Sequence, residues 1–420
     1  MVQGFFRAFL NGVLAATLAL SLAGCSGGGG SGTAEPGTVA GLASGQLDPA
    51  YGSGGKASVV DVSLTAGFAR GDTTIAVDGP GNAYVPAVNR LVKFDPAGRE
   101  FAFNDAGYSP VTDAAGNVYY ISGGSVAKRD ATAAAVSSFG AAGKVKVIDT
   151  SVQYASLLDK LLLDGEGNVF VFGRNDGPHY SGGYMLVTKL DRNGQMAPDF
   201  GASGQVTTNF RMIPPGIGLP PLSVAHDKQG NLLVASRTVF SGFAAAKLDR
   251  FGNLAADFGT GGISTLPACV SAVQGLAVDA SDNLYIGGTC SGRAVVFKLD
   301  SYGTAVSSFG NSGMATAIYG DVVSRVTSVL AGPAGTLYAA GSVNAGNCNQ
   351  TVVAKLDMNG GHVASFGDAG IARPGIIVQE AGVNIAADAL GRLYVGGPAL
   401  AQCASDDSTP QLVVVSRLGG

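Results

Sequence analysis

Residues 247–262 read KLDRFGNLAADFGTGG, and three close copies stand elsewhere: KLDRNGQMAPDFGASG at 189–204, KLDSYGTAVSSFGNSG at 298–313 and KLDMNGGHVASFGDAG at 355–370. One phrase recurring at intervals of about fifty to sixty residues marks a repeat architecture. Inside the phrase an apolar lead-in ends at Lys-Leu-Asp, and a Phe-Gly pair follows about nine residues later. Asp and Gly bend chains readily, Asp by bonding nearby amides and Gly by tolerating positive φ. The phrase therefore reads as a joint between two short strands.

Working outward, a second element recurs: an apolar run, a tight turn and another apolar run. It appears as IAVDGPGNAYV, PVTDAAGNVYY, LLLDGEGNVFV, SVAHDKQGNLLV, LAVDASDNLYI, VLAGPAGTLYA and AADALGRLYV. The Lys-Leu-Asp element appears as LVKFD, VAKRD, VTKLD, AAKLD, VFKLD, VAKLD and finally VSRLG. These make seven units of about 54 residues, near the length of a propeller blade. Each unit reads as four strands, A to D. In the third, A is about Leu161–Asp164, B is Asn168–Gly173, C is Met185–Leu190 and D is about Gly204–Thr208. Val169-Phe170-Val171-Phe172 is apolar on both parities, which expects a strand buried on both faces. The predicted fold is all-β, a seven-bladed β-propeller of four-stranded blades, with strand A innermost.

The two ends of the chain sharpen this. The last strand is Leu412–Leu418, and SGQLDPAYGSGGKASVV near the start matches the FGNLAADFGTGGIS portion of the repeat. The repeat region thus begins where the last unit stops. A strand at Lys56–Val60 is expected to become the outer strand of the last blade, closing the ring and covering raw edges.

These phrases, K-L-D-x-x-G, D-F-G-x-x-G and G-N-L-Y-V, resemble the delta-60 repeat of bacterial exported proteins over nearly all of 45–420. The A–B–C pattern also looks like NHL-type propellers. The second unit departs most, with VAKRDATAAAVSSFG. The resemblance implies a propeller-like repeat protein and carries no catalytic residues.

The bulk composition agrees. The chain has 420 residues, of which 65 are Gly, 46% hydrophobic and 13% charged; only four acids are Glu. That is a packed, turn-rich protein with little helix signal. A net charge of −4 gives no electrostatic case for nucleic acid.

The first residues, MVQGFFRAFLNGVLAATLALSLAGC, carry one basic residue and a short apolar run ending in Leu-Ala-Gly-Cys. The run is too short for a stable span. It resembles a bacterial lipoprotein signal: residues 1–24 as signal peptide, Cys25 as the lipidated residue (palmitate among its acyl chains) and 25–44 as a Gly/Ser-rich tether before the propeller at 45–420. Ser26 then implies the outer membrane, with the protein periplasmic or surface-exposed. Two or three acyl chains, at about 0.8 kcal/mol per buried methylene, hold a protein durably on a bilayer.

The recurrent residues have structural roles by expectation. Tyr51, Phe139, Phe200, Phe258, Phe309 and Phe366 precede Gly and anchor the C–D connection. Asp78, Asp113, Asp164, Asp227, Asp279 and Asp388 end strand A and bond turn amides, Gly332 taking their place in the sixth unit. A ring of such carboxylates would also suit a hard cation such as calcium, the one cofactor the residues suggest, although no metal site is assigned. Lys93, Lys128, Lys189, Lys247, Lys298, Lys355 and Arg417 share one place in strand C and are expected to cover apolar surface while their charge reaches water.

Four cysteines remain, Cys269, Cys290, Cys348 and Cys403, an even number in an exported chain. Three pairings are possible. Antiparallel A and B strands place Cys269 and Cys290 at one face, and Cys348 and Cys403 fall in B–C connections of neighbouring blades, so the expected disulfides are Cys269–Cys290 and Cys348–Cys403. His179, His226 and His362 share no spacing. The connections on the cysteine face vary most, and Arg174, Asp176, His179, Tyr180, Tyr184, Arg211 and Met212 form their richest cluster, the candidate binding face. Two functional readings follow. One is a non-enzymatic binding or interaction module for a protein or glycan at the cell envelope. The other is a propeller enzyme, a lyase or hydrolase with a metal in the central channel.

Overall fold

The computed structural model describes residues 42–60, 74–87, 90–103, 105–147, 157–175, 183–212, 222–238, 242–317, 324–346, 348–378, 382–403 and 411–420. The chain divides into Met1–Glu35 and Pro36–Gly420, and the fold below is that of the second unit. The signal segment, Cys25 and the tether as far as residue 41 lie outside the described residues.

Apart from one 3-10 turn at Pro333–Gly335, the regular elements among the described residues are all strands. β1 is Lys56–Val60. The first repeat unit holds β2 (Ala76–Val77), β3 (Ala83–Pro86), β4 (Leu91–Phe94) and β5 (Glu100–Ala102). The second holds β6 (Tyr108–Thr112), β7 (Val118–Ser122), β8 (Ser125–Arg129) and β9 (Lys144–Lys146). The third holds β10 (Leu157–Leu163), β11 (Val169–Asn175), β12 (Gly183–Leu190) and β13 (Gln205–Met212). The fourth holds β14 (Ser223–His226), β15 (Leu232–Thr238), β16 (Gly242–Leu248) and β17 (Ile263–Thr265). The fifth holds β18 (Val270–Val278), β19 (Leu284–Cys290), β20 (Arg293–Leu299) and β21 (Met314–Thr316). The sixth holds β22 (Ser324–Ala331), β23 (Leu337–Asn344), β24 (Asn349–Leu356) and β25 (Ile371–Ala372). A short β26 (Ile377–Val378) leads to the seventh, with β27 (Asn384–Ala387), β28 (Leu393–Leu400) and β29 (Gln411–Leu418).

Neighbouring strands pair antiparallel within each unit. Val169, Phe170, Val171 and Phe172 are all buried, so β11 is covered on both faces as its composition requires. The leading strands touch in order, β2 with β6, β6 with β10, β10 with β14, β14 with β18, β18 with β22 and β22 with β27, and β27 returns to β2. β1 pairs with β29 from Lys56↔Ser416 to Val60↔Leu412. The result is an all-β propeller of four-stranded antiparallel blades with the N-terminal strand laid on the C-terminal one.

The hydrogen-bonded sheets number five, not the expected seven: three of four strands, one of eight and one of nine. The physical cause is local. β13 runs on past its own sheet until Met212 pairs with Thr238 of β15. Similarly, β26 pairs with both β24 and β28, reaching the latter through Ile377↔Leu400.

The repeated phrase fastens most units to the next. Phe258 is fully buried, and the turn glycine of the following unit, Gly303, lies over its ring so closely that a Cβ there would stand 3.0 Å from it. The Gly259 N–H donates to the Tyr302 carbonyl (2.7 Å). On the other side, Gly252 lies over Phe200 and the Phe251 carbonyl accepts from the Gly201 N–H (2.9 Å). In five units the ring also meets an aromatic of strand B edge-on, as in Tyr285–Phe309 with centroids 5.7 Å apart. Gly259 itself has φ +57, and a Cβ there would strike the Ile263 carbonyl, so the Phe-Gly order is enforced sterically.

The conserved place of the cations in strand C has a different explanation from the one expected. Most of these side chains are largely buried, Lys189 being the one of intermediate exposure. Lys93, Lys128, Lys247, Lys298 and Lys355 are buried, Lys355 being only 4% exposed. Lys298 stands over both Tyr285 (5.1 Å) and Phe309 (5.6 Å) and donates to the Met358 carbonyl in the next unit. Lys93 likewise donates to the Ala131 carbonyl (2.6 Å). A desolvated cation over an aromatic face contributes up to about 2 kcal/mol.

At the seam the N-terminal segment supplies the missing parts. The Gly367 N–H donates to Ser44, Gly52 donates to Ala97, and Tyr51 meets Tyr394 edge-on. Arg417 pairs with Asp48 (2.7 Å), stands over Tyr51 and donates to the Pro96 carbonyl.

Candidate functional site

The ring has a face of short A–B and C–D turns and a face of B–C and D–A connections. On the turn face the carboxylates are engaged locally. Asp279 Oδ1 accepts from the Ser281 and Asn283 amides, while Oδ2 accepts from the Asn283 side chain and the Tyr285 hydroxyl (3.0 Å). Asp78, Asp113, Asp164, Asp227 and Asp388 repeat the amide bonding, with Arg392 replacing Asn beside Asp388. A second set, Asp95, Asp130, Asp191, Asp249, Asp300 and Asp357 of the Lys-Leu-Asp element, does the same in the C–D turns. That second role was readable in the D-x-x-G spacing but not assigned from it. At Asp279 burial raises the carboxyl pKa, but the bonds from Asn283, Ser281 and Tyr285 outweigh it and hold the group below the usual range. Asp227 is lowered similarly, burial being overcome by Asn231 and Lys247. Among the described residues no three His, Cys, Asp or Glu gather as a cation site.

On the other face, both expected disulfides are present: Cys269–Cys290, with Cα atoms 4.9 Å apart, and Cys348–Cys403, at 5.7 Å. The first closes the β18–β19 hairpin where Val270 pairs with Cys290. The second joins the B–C connections of the sixth and seventh units, beside the β26 bridge.

The candidate binding residues divide. Tyr184 is 43% exposed at the start of β12, as a contact residue needs. Arg211 pairs with it across β12 and β13 in backbone register. Arg174 is not a surface residue: it is 3% exposed, and its Nε bonds Asp159 (3.2 Å), because it lies near the end of β11 opposite Leu157 at the start of β10. Met212 is also buried, packed in the core between the third and fourth units with Phe210 and Leu222. Asp176, His179 and Tyr180 lie outside the described residues. His226 lies on β14 with Nδ1 near its neighbour's carbonyl, and burial lowers the pKa of His362, opposed by the Thr316 carbonyl.

The structure adds polar residues at the loop-face ends of the inner strands. Tyr108 donates to the Leu158 carbonyl (2.9 Å). Lys160 of the third unit bonds Thr74, just before the first unit's β2, skipping the unit between. Asp159 of the same strand pairs with the buried Arg174 of β11. The signal was the Asp-Lys pair interrupting the apolar run YASLLDKLLL.

No family model matches the chain, and no curated protein does so either. Among solved structures, it is similar to a streptogramin B lyase, with 9% identity and a TM-score of 0.49 over 86% of this chain and 98% of that one. It is also similar to the PQQ-bound aldose sugar dehydrogenase of Streptomyces coelicolor (12%, TM-score 0.41, 86% and 98%). A gluconolactonase of Xanthomonas campestris gives 11%, a TM-score of 0.35, and coverage of 86% and 94%. At these identities and scores none of them bears on what this chain does.

Proposed function

We propose that the chain is an exported, lipid-anchored, seven-bladed propeller that binds a protein or glycan at the bacterial envelope without catalysing a reaction. The eight- and nine-stranded sheets each count as two blades in this reading, since each divides at one narrow bridge into repeats of the same A–D pattern. Cys25 carries the lipid, and the outer membrane is its location.

The observation that carries the binding role is the placement of both disulfides on the face whose connections vary. Pinning irregular connections to a rigid ring lowers the ordering cost of binding, which is how preorganised surfaces gain affinity. The test is site-specific photocrosslinking in cells, with the probe at Tyr184 on the loop face or at Leu390 on the turn face. A discrete adduct from Tyr184, lost on Cys348→Ser/Cys403→Ser, is expected. Equal adducts from both positions, or none from Tyr184, would sink the reading.

A further inference from the structure

One place in the repeated phrase governs how the outer wall closes between neighbouring units. The residue lying against the last glycine of the phrase is Leu47, Met196, Leu254 or His362 in four units, facing Gly55, Gly204, Gly262 and Gly370 in turn. In the sixth unit His362 turns toward the fifth, and its Nε2 donates to the Thr316 carbonyl (3.4 Å). The Ala317 N–H bonds Ala294, so the preceding pair, Val295↔Thr316, is a non-hydrogen-bonded one whose Thr316 carbonyl is turned off its own sheet. The fifth unit has only Ala305 at this place, against Gly313. Ala135 of the second unit is also small, but there Phe103 of the first unit is buried in the same cluster as Ala127.

Where Ala305 stands, a cavity of about 590 Å³ opens between the fourth and fifth units. Leu266, Phe297, Leu299 and Met314 floor it, and Thr265, the counterpart of Thr316, is exposed at its edge. The Leu266 N–H bonds Phe243, so Thr265, opposite Ala244, likewise turns its carbonyl away from β16. Among the described residues no charged side chain lines the cavity. An apolar cavity of about 150 Å³ already takes a benzene ring. This one has room for a larger ring and for the backbone that carries it.

We infer that this cavity binds a tryptophan side chain of a partner polypeptide, the indole resting on the apolar floor and its N–H donating to the Thr265 carbonyl. His362 makes the same pairing of ring N–H and strand carbonyl from within the chain at the next interface. Indole carries that donor on a larger apolar body, and a Trp N–H needs such an acceptor when it is buried. The uncharged lining would leave the ammonium and carboxylate of a free amino acid unpaired, which favours a residue inside a chain. Aromatic anchors seated in pockets carry much of the binding energy of protein interfaces. The site is on the outer wall and does not depend on the loop-face role proposed above.

The chain contains no Trp, so the emission of a tryptophan probe is read without background. N-acetyltryptophanamide is titrated with the full chain, and a saturable shift of its emission to the blue is expected. The 1-methylindole analogue, which has no N–H to donate, should bind roughly fivefold more weakly. Free tryptophan should also bind more weakly than the blocked amide. Ala305→His and Ala305→Leu each put into the cavity a side chain that another unit carries at this place, and both should abolish the shift while keeping a cooperative melting transition. No saturable shift with the parent chain, an undiminished shift with a folded variant, or equal binding of the 1-methyl analogue would overturn the indole site. Should neither variant fold, the comparison of analogues on the parent chain still decides. Tighter binding of free tryptophan than of the blocked amide would overturn the polypeptide partner.

Discussion

The turn face and the loop face of this ring are built by opposite means. On the turn face the same few residues recur in most units, and their polar groups are bonded to one another. Asp binds turn amides, Lys lies between aromatic rings, and Gly lies on the neighbour's Phe. On the loop face little recurs, and order comes from two disulfides, a β-bridge and ion pairs such as Arg174–Asp159. Repetition secures the ring, and irregularity is confined to the face on which we propose that binding occurs. Substitutions on the two faces should therefore differ in kind, the first changing stability and the second changing binding.

The largest effect tests whether the turn face is one closed circuit. Deleting residues 45–60 removes β1, Asp48 and Tyr51 together, leaving Arg417 buried without its carboxylate and β29 with a raw edge. Loss of a buried ion partner alone costs about 3–5 kcal/mol. The cooperative melting transition should be lost or fall steeply in differential scanning calorimetry. An unchanged transition would show that the ring does not depend on its seam.

Next is a single fastener. Phe258→Ala removes a fully buried ring that carries Gly303, and should cost about 3–5 kcal/mol in urea unfolding. Tyr302→Ala, exposed on the turn it serves, should change stability by about 0.5 kcal/mol or less. Equal costs would break the distinction between interlocking and surface residues on this face.

What the sequence disclosed follows the same division. The strand pattern, the terminal strand at Lys56–Val60 and both disulfide pairs could be read because each depends on period or topology. The five-sheet connectivity could not, because it turns on β13 running a few residues long and on the two-residue β26 bridging two units. The lysines were misjudged because burial between aromatic rings depends on the adjacent unit, which a strand pattern does not describe. Arg174 and Met212 lie in a loop-rich stretch of sequence but end strands whose side chains point inward, and local composition does not separate those cases.

On the loop face, Cys348→Ser/Cys403→Ser should lower stability by at most about 4 kcal/mol on the chain-entropy account, since the bridge closes a separation of 55 residues. The value should be smaller in practice, because the ring already holds the two units together through β26. Partner capture from position 184 should fall much further than stability does. A variant that melts far lower yet keeps its full adduct would place the disulfide among the ring's fasteners instead.

The smallest effect separates the faces by pH. Asp227 and Asp279 on the turn face have carboxyl groups held below their ordinary range, burial being outweighed by the side-chain and backbone bonds they accept. A carboxyl lowered on folding contributes stability that is complete above its unfolded value, near 3.9, and is lost as pH falls through its folded value. The melting temperature should therefore be level above about pH 5 and decline below about pH 4. The two disulfides do not titrate, so the loop face stays covalently pinned while the turns loosen. An Asp279→Asn variant, which keeps a side-chain acceptor but no charge, should start from a lower melting temperature and show a shallower acid decline. If its decline matches that of the parent chain, the turn carboxylates are not what acid attacks.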